Sequence, residues 1–112
     1  MVNDLGVTLA ALADPTRRRV LELLRERPHR AGELAAAFEV SGPAVSRHLR
    51  VLRRSGLVTE REAEDDLRLR IYELRPEPLV ALRAWLDQMQ AFWTEQLTAF
   101  KEHVESMGTD RA

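Results

Sequence analysis

Between Ser41 and Gly56 the chain reads SGPAVSRHLRVLRRSG, a run that contains Arg47, His48, Arg50, Arg53 and Arg54 and no acid. The whole protein nevertheless has a formal net charge of −1. A guanidinium group donates through a planar fork that matches phosphate, carboxylate and the guanine edge. Two readings fit such a cluster: contact with a polyanion, or the solvated face of an ordinary helix. Charge is also distributed unevenly along the chain, with ten arginines against five acids in residues 14–58 and three basic residues against six acids in residues 76–112.

Other chemistries find few residues to carry them. The absence of cysteine excludes disulfides, thiolate nucleophiles, iron–sulfur clusters and cysteine-based zinc sites. His29, His48 and His103 lie in different segments, and none stands at a spacing from serine or carboxylate that suggests a catalytic set. Zinc needs three or four converging ligands, which His103 lacks. No enzymatic activity, metal or cofactor is therefore expected. The N-terminal MVNDLGVTLAALAD has no basic region ahead of an apolar run, and no apolar segment approaches the ~18 residues of a membrane span. A cytoplasmic protein without a membrane partner is the expectation.

The elements that must position the arginines follow from the punctuation. With 112 residues, 45% hydrophobic and 31% charged, the chain fits one ordered, mainly α domain with a small β-hairpin, in the order α-α-α-α-β-β-α. A short first helix over about 5–13 carries Leu5, Leu9 and Leu12 on one side. The second opens at DPTRRRVLELLRER, with Asp14 as cap, Pro15 at the first helical position and Val20, Leu21, Leu23 and Leu24 as its apolar side. The third covers about Arg30 to Phe38. The fourth runs from a Ser41 cap to Ser55 and Gly56, where glycine can take the left-handed terminating conformation.

Strand-like runs, Leu57 to Arg61 and Arg68 to Leu74, flank the acidic segment Glu62 to Leu67, and the second run puts Leu67, Leu69 and Ile71 on one face. Pro76 and Pro78 open a last helix extending to about residue 107. Its apolar positions include Leu79, Leu82, Leu86, Met89, Trp93, Leu97, Phe100, Val104 and Met107. About thirty helical residues span ~45 Å, more than a core of this size can cover. A second surface is needed to bury the remainder.

Helical geometry sorts the basic cluster. At ~100° per residue Val45, Leu49 and Leu52 share one arc, and Pro43, Arg47, Arg50 and Arg54 share the opposite one. A short helix, a tight turn and a second helix with an exposed basic face match the helix-turn-helix plan, in which the second helix enters the major groove of DNA. The hairpin with Arg61, Arg68 and Arg70 resembles a wing that touches backbone or minor groove.

The segments LADPTRRRVLELL, ELAAAFEVSGPAVSRHLRVLRRSGLV and the strand ending IYEL, followed by a long terminal helix, resemble the winged-helix repressors of the ArsR type. The resemblance covers nearly the whole chain, and LRPEPLVALRAWLDQMQAFWTEQLTAF looks like the family's metal-independent branch. It implies a single winged-helix domain over 1–112, with the helix-turn-helix over about 30–55, the wing over 57–74 and dimerisation by the helices over about 5–13 and 77–107. It also implies a homodimer that presents two recognition helices to a double-stranded DNA operator, usually to repress transcription. Gly42, Pro43, Ser46 and Arg47 fall where family members contact bases or phosphates, with Arg50 one turn further on. Arg54, Arg68 and Arg70 complete the expected DNA-binding set. Leu5, Leu9, Leu12, Leu82, Leu86, Met89, Trp93, Leu97 and Phe100 make up the expected dimer interface.

The chain departs from the family in three places. Metal-sensing members read Glu-Leu-Cys-x-Cys in the third helix, where this chain has Glu33, Leu34, Ala35, Ala36 and Ala37. A second family metal site needs Asp and His paired early in the last helix, but Asp87 is followed two residues on by Met89. The wing carries Glu62, Glu64, Asp65 and Asp66 before Arg68, and acids beside phosphates repel. Either the tip bends away while Arg68 or Arg70 touches the backbone, or the hairpin is simply solvated. A winged-helix module that docks an acidic protein partner without DNA is the alternative function. Neither the small-molecule effector nor the operator sequence is specified by these residues.

Overall fold

The computed structural model describes residues 4–110, with side chains described through residue 108. The helices are α1 (Leu5–Leu12), α2 (Pro15–Glu26), α3 (Ala31–Phe38), α4 (Gly42–Arg54) and α5 (Glu77–Asp110), and the strands are β1 (His29–Arg30), β2 (Val58–Glu62) and β3 (Arg70–Leu74). The described residues fall into two compact units, one ending at Ala81 and the other beginning at Leu82.

The starts of α1 to α4 each have a physical cause. The Asp4 carboxylate accepts the Gly6 amide at 2.8 Å, Asp14 accepts the Arg17 amide at 3.0 Å, and the Ser41 hydroxyl accepts the Ala44 amide at 3.2 Å. The bond from the Arg17 amide holds the Asp14 carboxyl below the usual carboxylate range. Glu33 accepts the Arg30 amide at 3.0 Å and the Arg27 guanidinium at 2.9 Å, and its carboxyl is likewise held low. Between α3 and α4, Glu39 takes the left-handed conformation (φ 53, ψ 38) and its amide donates to the Ala35 carbonyl. After α4, Gly56 at φ 78 lets the chain reverse while the Leu57 amide bonds back to Leu52 at 3.0 Å.

The core of the first unit gathers Ala11, Val20, Leu21, Leu24, Leu34, Val45, Leu49, Leu52, Leu57 and Val58. Every buried side-chain nitrogen and oxygen among the described residues has a partner. The mainly α architecture with a small wing holds, and one strand is added. The sheet has three antiparallel strands in the order β1-β3-β2, with His29 opposite Tyr72 and Glu60 opposite Tyr72 on the other side.

In α1 the buried residues are Thr8 and Ala11, while Leu9 is 49% exposed. Two local expectations need correction. The wing strands begin later than the sequence suggests. Leu67 is exposed and Leu69 lies in the turn, because Asp66 accepts both the backbone amide and the guanidinium of Arg68 and bends the chain before Arg70. Arg30 belongs to β1 and is not the first residue of α3.

Candidate nucleic-acid interface

In α4, Val45, Leu49 and Leu52 are almost completely buried, and this anchoring fixes which side of the helix faces water. Gly42, Pro43, Ser46, Arg47, Arg50, Arg53 and Arg54 are all exposed. Pro43 in the first turn needs no amide partner there, so the N-terminal end of α4 is presented without a backbone defect. At Gly42 a side chain would meet no atom within 4 Å, so the surface beside it is open.

The arginines divide into paired and unpaired sets. Arg53 donates to Glu60 at 3.1 Å, across from α4 to β2. On the wing, Arg70 pairs with Glu62 at 3.1 Å, Arg61 with Glu73, and Arg68 with Asp66 at 3.1 Å. Arg30 pairs with the Asp65 carboxylate at 3.4 Å. The Arg68 guanidinium holds the Asp66 carboxyl below the usual range. Among the described residues Arg47, Arg50 and Arg54 have no ion pair and no hydrogen bond, so their donors face solvent. Arg50, Arg53 and Arg54 line one wall of a cleft of about 640 Å³, and Val58, Thr59 and Glu60 line the other.

Three of the wing acids are thus partnered by arginines: Glu62 and Asp65 by Arg70 and Arg30 of the sheet, and Asp66 by Arg68 of the turn. Glu62, Asp65 and Asp66 each have a cation within hydrogen-bonding reach. Such exposed pairs contribute about 0–1 kcal/mol, so phosphate can displace the carboxylates from Arg68 or Arg70 at little cost. Burial, reinforced by the facing Glu60 carboxylate, pushes the Tyr72 hydroxyl above its ordinary pKa. Sequence reasoning missed Glu60 and Tyr72, since only the strand register sets them opposite each other.

His48 is half-buried, with Nδ1 3.4 Å from the Arg17 guanidinium and 3.9 Å from the Asp14 carboxylate. No group of three or more His, Asp or Glu side chains among the described residues could hold a metal ion. Asp87, the aspartate early in the last helix, lies 4.0 Å from Arg83. No helix among the described residues is long and apolar enough to cross a membrane. In the second unit Trp85, Leu86, Met89, Phe92, Trp93, Leu97 and Phe100 are exposed, and Phe92 and Trp93 meet edge to face at 6.3 Å.

The chain is similar to known proteins. The family described as bacterial regulatory protein, arsR family, matches residues 14–60, the span from the Asp14 cap to Glu60. The HTH-type transcriptional regulator Rv2034 of Mycobacterium tuberculosis is 46% identical over 100 residues, which is 89% of this chain and 88% of that protein. The transcriptional repressor SdpR of Bacillus subtilis is 38% identical over 50 residues, 45% of this chain and 56% of that one. An ArsR-like transcriptional regulator from Rhodococcus sp. RHA1 superposes with a TM-score of 0.76 at 30% identity, covering 88% of this chain and 90% of that structure. With an exposed basic helix after a tight turn, a wing beside it and relatives matched along nearly the full length, the chain belongs to the ArsR family of helix-turn-helix transcriptional regulators.

Proposed function

We propose that this regulator is a homodimeric repressor acting in the cytoplasm, and that it reads a two-fold double-stranded DNA operator through α4. The observation that carries the reading is the solvent face of α4, where Arg47, Arg50 and Arg54 stand free of internal partners while Val45, Leu49 and Leu52 lock the helix beneath them. Three unpaired guanidinium groups on one stripe can bind phosphates and guanine edges without first breaking an ion pair. Gly42, Pro43 and Ser46 supply the close approach at the leading end of the helix, and Arg68 and Arg70 of the wing reach backbone phosphates by exchanging their carboxylate partners.

Repression is supported by the name of SdpR, and dimerisation by the exposed apolar stripe of α5 together with Leu9 of α1. Selection of duplexes from a random-sequence pool by the purified protein tests the whole reading. The expected product is a two-fold motif with half-sites about one helical turn apart, roughly 34 Å. Its affinity is expected to fall by about 0.9 log units per phosphate contact for each tenfold rise in salt. Equal affinity for selected and random duplexes would exclude sequence-specific readout and favour a protein partner for the basic face.

A further inference from the structure

The residue that ties α1 to the DNA-reading helix is Arg17. At the end of α1 the Ala10 carbonyl accepts the Ala13 cap amide at 3.3 Å, and a cation is favourable at that end. Arg17 supplies it from the start of α2, with Nε donating to the Ala11 carbonyl at 2.7 Å and Nη2 donating to the Ala10 carbonyl at 3.1 Å. The remaining nitrogen, Nη1, reaches His48 Nδ1 on α4 at 3.4 Å. A guanidinium has no acceptor, so in a hydrogen bond across this contact the guanidinium donates and His48 Nδ1 accepts. One side chain therefore holds the end of α1 and the middle of α4 together.

Its neighbour Arg18 provides the contrast. Arg18 Nη1 donates to the Leu12 carbonyl at 2.8 Å and to the Ala13 carbonyl at 3.2 Å, also at the end of α1, but among the described residues no hydrogen bond or ion pair joins its side chain to α4. The two arginines share the capping task and differ in the link to His48. His48 directly follows Arg47 in α4, so a displaced imidazole moves the residue beside an unpaired guanidinium.

We propose that Arg17 is a positioning residue: it fixes α4 relative to α1 through His48, and so sets DNA affinity without touching DNA. The proposal rests on the DNA-reading role of α4 given above. The test compares R17Q, R17K and R18Q on a duplex selected by the unaltered protein, across a range of salt. R17Q and R17K are expected to weaken binding about tenfold at every salt concentration, the scale of a charge-assisted hydrogen bond. Their salt slope should stay unchanged, and R18Q should bind within about twofold of the unaltered protein, since the link to His48 is intact. Lysine fails because its single ammonium cannot fork to three acceptors. A slope reduced by about 0.9 would make Arg17 a phosphate contact and overturn the proposal. Equal losses in R17Q and R18Q would overturn it too, since capping of α1 would then be the whole effect.

Amide hydrogen exchange on the free protein supplies a second measurement that needs no DNA. R17K and H48L, which cut the link from either end, are expected to raise exchange in α4 as well as in the last turn of α1, and the double variant should be no worse than either alone. R18Q should raise it in α1 only. An α4 unaffected by R17K or H48L would overturn the proposal even if DNA binding fell. A protein that selects no duplex would refute the DNA-reading function, and the exchange pattern would still decide whether Arg17 holds α4.

Discussion

At the scale of single residues, charge matters less than whether it has already been spent inside the molecule. Arg47 is exposed and unpaired, so replacing it removes no native contact. Arg47→Ala is expected to leave thermal stability unchanged and to weaken operator binding by about 1–3 kcal/mol, with relaxed preference at one base position. Fluorescence anisotropy on the selected duplex and on single-base variants checks this, and an unchanged affinity would remove Arg47 from the contact set. Asp14 gives the opposite case, a charge committed to the fold. Its pKa is depressed in the folded state by the Arg17 amide, so its contribution is present above the unfolded carboxylate range and is lost as pH falls through the folded value. Asn caps a helix as well as Asp does but does not titrate. Asp14→Asn is therefore expected to match the unaltered protein more closely in acid than at neutral pH, as melting curves at both would show. The carboxylate is one-third exposed, so water screens the effect and keeps it small.

At the scale of elements, what could be read from the sequence was what a helix encodes locally. The Ser41 cap, Pro43 and the spacing of Val45, Leu49 and Leu52 define α4 and its buried side without outside help. Strand β1 could not be read in this way. His29 and Arg30 are a strand only because Tyr72 and Ile71, some forty residues away, pair with them. The alternation of Leu67, Leu69 and Ile71 misled because an aspartate side chain competes with the ladder for backbone amides, and Asp66 wins. Burial of Thr8 and Ala11 was hidden too, since small residues signal close approach less clearly than leucines signal burial. The pairing of Glu62 with Arg70 belongs to the same class, being a property of register. The turn between α3 and α4 offers a prediction. Glu39 holds a left-handed conformation that costs a residue with a side chain about 1 kcal/mol, and its negative charge sits at the unfavourable end of α3. Glu39→Gly is expected to gain about 0.5–1 kcal/mol after the entropy of the unfolded chain is counted, raising the melting temperature by a few degrees. A lower melting temperature would show that the Glu39 side chain stabilises the turn by more than the strain it imposes.

At the scale of the whole molecule, the question is what covers the apolar surface of α5. Its 34 residues extend about 51 Å at 1.5 Å per residue, and Trp93, Leu97 and Phe100 are 62%, 64% and 67% exposed. Isolated apolar side chains on a surface are ordinary, but a continuous stripe of Trp, Phe, Leu and Met on one helix marks an association site. A helix that gains a partner along such a stripe removes a large apolar area from water, at about 25 cal/mol per Å². The proposed two-fold DNA readout adds a geometric demand, because two copies of α4 reach successive grooves only if something fixes their separation. The proposed association of two copies through α5 would meet both demands. Replacing Met89 and Trp93 together by glutamate puts two charges into the proposed contact, which cannot be desolvated without partners. The double variant is expected to be monomeric by light scattering at concentrations where the unaltered protein is dimeric. Its affinity for the full operator should fall to that of a single half-site, while Arg47 and its neighbours remain intact on each copy. A variant that stays dimeric would place the interface elsewhere. A monomer that keeps full operator affinity would mean that one copy of α4 suffices and that the two-fold reading is wrong.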